Sequence, residues 1–189
     1  MTSATVTIPG YKVGTWDIDP VHSDISITAR HFGVSKVRGS FHEFSGEIVT
    51  TENPLESSVN ATIKAASIDT KQEQRDEHIR SADFLDVASH ETITFTSTAV
   101  RPGGDDGFLI DGDLTIRGVT KQVTLEAEVS GFGPDPFGGY RAGFSAITTV
   151  NRKDFAINFN AVMETGGLVV SDKLTVSLEI EAILRKTED

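Results

Sequence analysis

Apolar and polar residues alternate with period two along most of this chain. The longest such run is the last: Leu174, Val176, Leu178, Ile180, Ala182 and Leu184 interleave with Thr175, Ser177, Glu179, Glu181 and Ile183. Period two sends successive side chains to opposite faces of a strand. A run of about 11 residues rising ~3.4 Å each makes a strand of roughly 37 Å, about twice the common length. A wide antiparallel sheet of such strands must curl, and if it closes, its inward face encloses something long and apolar.

The same alternation predicts strands throughout. Trp16 to Ile18 is a short one, ended by Asp19-Pro20, and Ile25, Ile27 and Ala29 mark the next. Between residues 36 and 51 the phase changes, from Val37, Gly39 and Phe41 to Phe44, Gly46 and Ile48, as expected of a long strand bent by a bulge or split by glycine. After the Asn53-Pro54 turn, Val59, Ala61, Ile63 and Ala65 lead to Ile68. Further strands follow at Ile93 to Ala99, Phe108 to Ile116, Val123 to Val129, Ala142 to Val150 and Phe155 to Met163, separated by Pro- and Gly-rich turns that end with Gly166-Gly167. One segment breaks the pattern. Thr70 with Glu73 three residues on is a capping-box signature, and the polar run 71–81 predicts the one helix, within an insertion near residues 71–85. The spacing of short-looped strands predicts an all-β up-and-down barrel or sandwich. No linker or repeat divides the chain, so residues 13–185 read as a single domain between an N-terminal arm, 1–12, and a polar tail, 186–189.

Composition narrows the function. A chain of 189 residues supports one sizeable core. With 17 basic and 28 acidic residues the net charge is -11, which opposes phosphate backbones and anionic surfaces, so nucleic acid is not an expected partner. The absence of cysteine excludes disulfides, thiolate metal sites and a cysteine nucleophile. No window approaches ~18 consecutive apolar residues, which leaves at most transient membrane contact. Residues 1–10 lack a basic start and an apolar core, so the expected location is cytoplasmic.

Catalytic motifs are sparse. His22, His31, His42, His78 and His90 are too scattered for a compact metal site, and Gly143-Phe144-Ser145 is followed by Ala146-Ile147 rather than completing a nucleophile elbow. No catalytic residue, metal or cofactor is expected, and the chain reads as a binder, not an enzyme. The insertion holds the densest polar cluster: Arg75, Asp76, Glu77, His78, Arg80, Ser81 and Asp83. On a helix, Asp76 and Arg80 are spaced to pair at the surface, while Arg75, His78 and Ile79 share a face that packs on the sheet. Such a helix would cover one barrel mouth and offer cationic groups to a polar ligand head. His31 and His22 flank a strand on opposite faces, so at most one points inward. Arg152 and Asp154 are expected to brace each other or Arg117.

These residues resemble the YceI family. The likeness runs from Trp16-Asp17-Ile18-Asp19 through His22-Ser23, His31 and the Gly39, Phe41, Phe44, Gly46 spacing to Ser67-Ile68-Asp69-Thr70. It continues through Arg75-Asp76, His78-Ile79-Arg80-Ser81, Asp83-Phe84, the run from Gly112 to Thr120, Arg141-Ala142-Gly143-Phe144 and Asn151-Arg152-Lys153-Asp154-Phe155. The chain departs from the pattern at Ala156, where the family often has glycine and where alanine asks for ordinary strand dihedrals. It also lacks the usual proline near His90-Glu91 and the export signal of many periplasmic relatives.

The resemblance implies an elongated, about eight-stranded antiparallel lipocalin-like β-barrel that binds, stores or transports a long-chain bacterial polyisoprenoid or isoprenoid quinone. The small residues Ala29, Ala61, Ala65, Gly112, Ala127, Ala142, Ala146 and Ala161 among the strands leave room inside such a tube. The lipid tail is expected among Ile25, Ile27, Ile63, Phe95, Ile110, Leu114, Phe144, Ala146, Ile157, Phe159, Val176 and Ile180. A diphosphate or quinone head is expected near His31, Arg75, His78 or Arg80. A homodimer stays open as a partner state. The rival readings are an enzyme of prenyl or quinone metabolism using the same tube, and a dry-cored stress-related interaction protein.

Overall fold

The computed structural model describes residues 7–161 and 169–188. In chain order its elements are β1 (Gly14–Ile18), β2 (Asp24–His31), β3 (Ser35–Phe41), β4 (Phe44–Thr50), β5 (Ser58–Lys64), β6 (Ile68–Asp69) and helix α1 (Glu73–Arg80). Then follow β7 (Thr92–Pro102), β8 (Phe108–Ile116), β9 (Val119–Pro134), β10 (Tyr140–Asn151) and β11 (Lys173–Leu184). The expected Met163 and Gly166-Gly167 lie outside the described residues.

Eight strands close a ring in the order β1-β4-β5-β7-β8-β9-β10-β11, and β11 returns to β1 with Trp16 opposite Leu184 and Ile18 opposite Ala182. Every pairing in it is antiparallel. The remaining three strands lengthen the wall at one end. β2 follows β1 along the same edge of β11, Ile25 opposite Leu178; β3 pairs with β2, and β6 with β3. The phase change after Phe41 marks a real break, because β3 and β4 separate at His42 and Glu43. There the His42 N–H donates to the Ser67 carbonyl and the Lys64 N–H to the Glu43 carbonyl. A 3-10 turn, Ala65–Ser67, splits β5 from β6 in the same way.

Past that turn the wall parts. β6 is the free end of the sheet order, while β7 begins with Thr92 opposite Lys64. The intervening insertion covers the gap. Ile79, Leu85 and Val87 pack on the buried cluster Ile25, Phe41, Ala65, Ile68 and Ile93, and Phe84 packs on Val150, Phe155 and Ile157. We call this the helix end; the β2–β3 and β8–β9 hairpins also lie there. Arg117 (φ 50) and Gly118 (φ 72) turn the β8–β9 hairpin with two left-handed residues, which match the right-handed twist of the strands they join.

The opposite, arm end is sealed by aromatics. Trp16 is fully buried, donates from Nε1 to Thr50 Oγ1 at 2.8 Å, and meets Phe132 edge-on at 5.4 Å. Residues 10–12 fold over this end: the Tyr11 hydroxyl donates to the Thr51 carbonyl, and the Tyr140 hydroxyl to the Gly10 carbonyl.

Five local expectations are corrected. The cap of α1 is Gln72, whose side chain accepts from the Arg75 N–H, because Thr70 is buried and gives its hydroxyl to Asp76 Oδ1 at 2.6 Å. Asp76 is therefore committed to Thr70 and not to Arg80, which approaches Glu73 instead. The alternating stretch after Asn151 forms a 3-10 turn, Arg152–Phe155, with irregular chain from 156 to 161. Arg152 braces neither Asp154 nor Arg117: it is 2% exposed and donates to the Ile157, Phe159 and Ser171 carbonyls and to Asp172. Ala156 closes this turn with left-handed dihedrals (φ 59, ψ 23), not strand ones, so its N–H can reach back to the Arg152 and Lys153 carbonyls.

Candidate functional site

The barrel is hollow. Two apolar chambers lie end to end inside it, of about 210 Å3 toward the arm end and about 790 Å3 toward the helix end. Val176 lines both. Between them sits the buried cluster in which Ile25, on the arm-side wall, packs with Phe41 and Ile93, on the helix-side wall. The larger chamber alone falls within the ~300–1,000 Å3 typical of small-molecule sites.

The strand period fills both walls. Ile25, Ile63, Phe95, Ile110, Leu114, Phe144, Ala146, Val176 and Ile180 line the arm-side chamber, and Ile27, Ile157, Phe159 and again Val176 the helix-side one. Not every small inward residue leaves space. Ala29, Ala61, Ala127, Ala146 and Ala161 face the chambers, but Ala142 and Ala182 accommodate the Trp16 indole and the Phe95 ring lies over Gly112. The room at those positions is already taken.

The cationic groups gather at the helix end. Arg30, His31, Arg75 and His78 stand on the larger chamber's wall, and among the described residues no Asp or Glu does. Arg75 is oriented by Thr70, giving Nε to its hydroxyl at 2.7 Å and a terminal nitrogen to its carbonyl at 2.8 Å. His78 Nε2 meets Asp83 Oδ2 at 2.8 Å, and its ring stands edge-on to Phe84 and to Phe159, both at 5.0 Å. Arg80 is elsewhere. Its guanidinium donates to the Ala66 and Ile68 carbonyls and does not reach the chamber. Of the two histidines flanking β2, His31 is on the chamber wall and His22 sits in the turn before β2, 2.7 Å from Asp19.

Three contributors have no period-two signal. Arg152 holds the 157–161 segment against the chamber by its carbonyl bonds. Ile8 and Tyr11 of the arm close the far end of the smaller chamber. A buried arginine that serves carbonyls looks in sequence like any charged turn residue.

Asp19, His22 and Glu181 also converge, with ligand atoms within 4.8 Å of one another. Arg141 already supplies their cation, donating to Asp19, Asp135 and Glu181 at 2.6–3.0 Å. Burial pushes the Asp19 carboxyl up, but the bonds from His22 and Arg141 outweigh it and leave it below its ordinary value. This cluster ties β1, β10 and β11 together outside the chambers.

A closed antiparallel barrel with an apolar interior and a cationic rim at one mouth belongs to the class of lipocalin-like barrels. Residues 16–182 match the YceI-like domain, and the chain belongs to that family. It is 47% identical over 148 residues to the protein YceI of Escherichia coli, a match covering 78% of this chain and 75% of that one. Among solved structures, Burkholderia cenocepacia BcnA superposes with a TM-score of 0.76 at 22% identity, covering 87% of this chain and 98% of the other. A polyisoprenoid binding domain from Saccharophagus degradans superposes with a TM-score of 0.67 at 15% identity, covering 92% and 100%.

Proposed function

We propose that this protein binds a long-chain isoprenoid lipid, with its tail in the stacked chambers and its polar head at the helix end, near His31, Arg75 and His78. The observation that carries this reading is the pair of stacked apolar chambers, the smaller walled by the closed ring of strands and the larger by β2, β3, β6 and the α1 insertion, with cationic groups on the larger alone. Membership of the YceI-like family and the likeness to a polyisoprenoid binding domain support it.

Binding of this kind needs no chemistry. Burying about ten methylene equivalents gains ~8 kcal/mol, which corresponds to roughly micromolar affinity before the cost of lost motion. Each chamber residue contributes wall area, and the rim orients the head. The cationic side chains on that wall favour lipids with an acceptor-rich head, a diphosphate or a quinone, over plain hydrocarbons.

Native mass spectrometry of freshly purified protein tests the reading. A mass increment matching an isoprenoid lipid, released on denaturation, is the expected result; ligand-free protein that also takes up no added prenyl lipid would overturn it. Ala146→Trp provides the internal control. Ala146 lies opposite Ala127 and Leu178 on the arm-side wall, so an indole there fills the smaller chamber and shortens the longest tail accepted.

A further inference from the structure

We propose that the tip of the β2–β3 hairpin is a membrane-docking wedge that sets the helix-end mouth of the barrel on an anionic bilayer. His31, on the larger chamber's wall, pairs with Ser35, and Phe32, Gly33 and Val34 form the loop between them. Phe32 is 46% exposed and Val34 86% exposed. Phe32 also occupies a left-handed backbone position (φ 53), followed by Gly33 (φ 67), with the Val34 N–H donating to the His31 carbonyl at 3.1 Å. Glycine, asparagine or aspartate is the ordinary occupant of such a turn, and a bulky residue there is strained. The His31 ring, with its centroid 3.9 Å from that of Phe32, offsets part of the strain, yet Phe32 stays nearly half exposed and Val34 almost wholly so.

The charges beside it point to the partner. Arg30 and Lys36 lie directly opposite each other across the two strands, both exposed, and among the described residues neither makes a salt bridge. Like charges facing each other across a ladder repel. On β2 the nearest carboxylate is Asp24, at the strand's other end, and it is engaged by Arg38. Across from the tip, Asp172 is engaged by Arg152 and Lys153. In a chain of net charge -11 this leaves an apolar point on a basic collar. A lipid surface with anionic heads fits both parts, because aromatic and aliphatic side chains enter the interface while cations stay with the headgroups. A protein partner fits less well: two side chains on a convex tip are far from the ~800 Å2 per side of a stable protein interface. The acidic remainder of the molecule opposes approach only weakly, since its field is screened beyond ~8 Å at physiological ionic strength.

The wedge adjoins the cavity. Arg30 and His31 line the larger chamber, and the Phe32 N–H donates to the Val169 carbonyl. Docking therefore places the cationic rim at headgroup level, where a lipid would leave or join the bilayer. The docking itself stands apart from the identity of the cargo and is measured without it.

The test uses Phe32→Trp in the full chain, with Phe137→Trp as control; Phe137 is 90% exposed in the β9–β10 turn at the arm end. Vesicles of equal phosphatidylglycerol and phosphatidylcholine are expected to shift the new emission at position 32 to the blue and leave that at 137 unchanged. Arg30→Gln and Lys36→Gln should each weaken vesicle partitioning about fivefold, and added salt should weaken that of the parent. Phe32→Asp with Val34→Asp, checked by thermal melting to be folded, should abolish flotation with vesicles. No shift at 32, equal shifts at 32 and 137, or a shift at 32 that grows with protein concentration in the absence of vesicles would each overturn the proposal; the last would assign the tip to a protein contact.

Discussion

Ala156 holds a left-handed backbone at the end of the Arg152–Phe155 turn, where a Cβ costs ~1–2 kcal/mol. Ala156→Gly relieves that strain and gives back ~0.4–1 kcal/mol through the freer unfolded chain, so the melting temperature is expected to hold or rise by a few degrees. A fall would mean the Ala156 methyl makes a packing contribution that outweighs the strain. Arg152 shows the opposite economy. Its buried guanidinium serves three carbonyls and Asp172, and Arg152→Met should cost about 3–5 kcal/mol in denaturant titrations by leaving those acceptors unmet. Partly buried carboxylates set the acid limb. Asp69 is held down to about 2 by the Lys71 N–H and His42, and Asp111 to about 2 by Arg101 and Thr124. Their unfolded values are near 3.9, so their contribution is complete above about pH 4 and lost as pH falls toward 2. Melting temperature should drop across that window, and Asp111→Asn should flatten part of the drop.

Helix α1 is the element on which the site depends, because it bridges the parted wall between β6 and β7 and brings Arg75, His78 and Ile79 to the larger chamber. The helix has only eight residues and gains its position from tertiary contacts rather than propensity. Asp76 pins its first turn, accepting from the Thr70 N–H at 2.9 Å and hydroxyl at 2.6 Å. Asp76→Ala is expected to cost about 1–3 kcal/mol and to speed hydrogen exchange in α1 while the β9–β10 amides keep their protection. Uniform loss of protection would show that the insertion is not a separable cover. The strands were readable because each has one buried face, which forces period two into the sequence; β11 alternates from Leu174 to Ala182 for that reason. The 155–161 segment alternates too, yet its carbonyls go to Arg152 instead of a ladder, and no local pattern reports a hydrogen bond supplied by a side chain. The cap of α1 is not legible in sequence, because Thr70 satisfies the capping-box spacing while its hydroxyl is drawn inward by buried Asp76.

The whole molecule is a barrel whose interior is apolar, partly vacant and divided. The period of two turns Ile27, Ile63, Phe144 and Ile180 to chamber walls, but it does not report the division, which depends on which rings fill which gaps. Phe41 and Ile93 pack with Ile25 at the junction. Ile93→Ala should merge the chambers, lower stability by about 2–5 kcal/mol and favour longer tails. Affinity for a series of prenyl alcohols of increasing length, measured by calorimetry on the ligand-free protein, tests the account most directly. A vacant apolar interior predicts affinity that climbs by about fourfold per buried methylene until the chambers are full, with an earlier plateau in Ala146→Trp. Affinity independent of length, or an identical plateau in the two proteins, would contradict it.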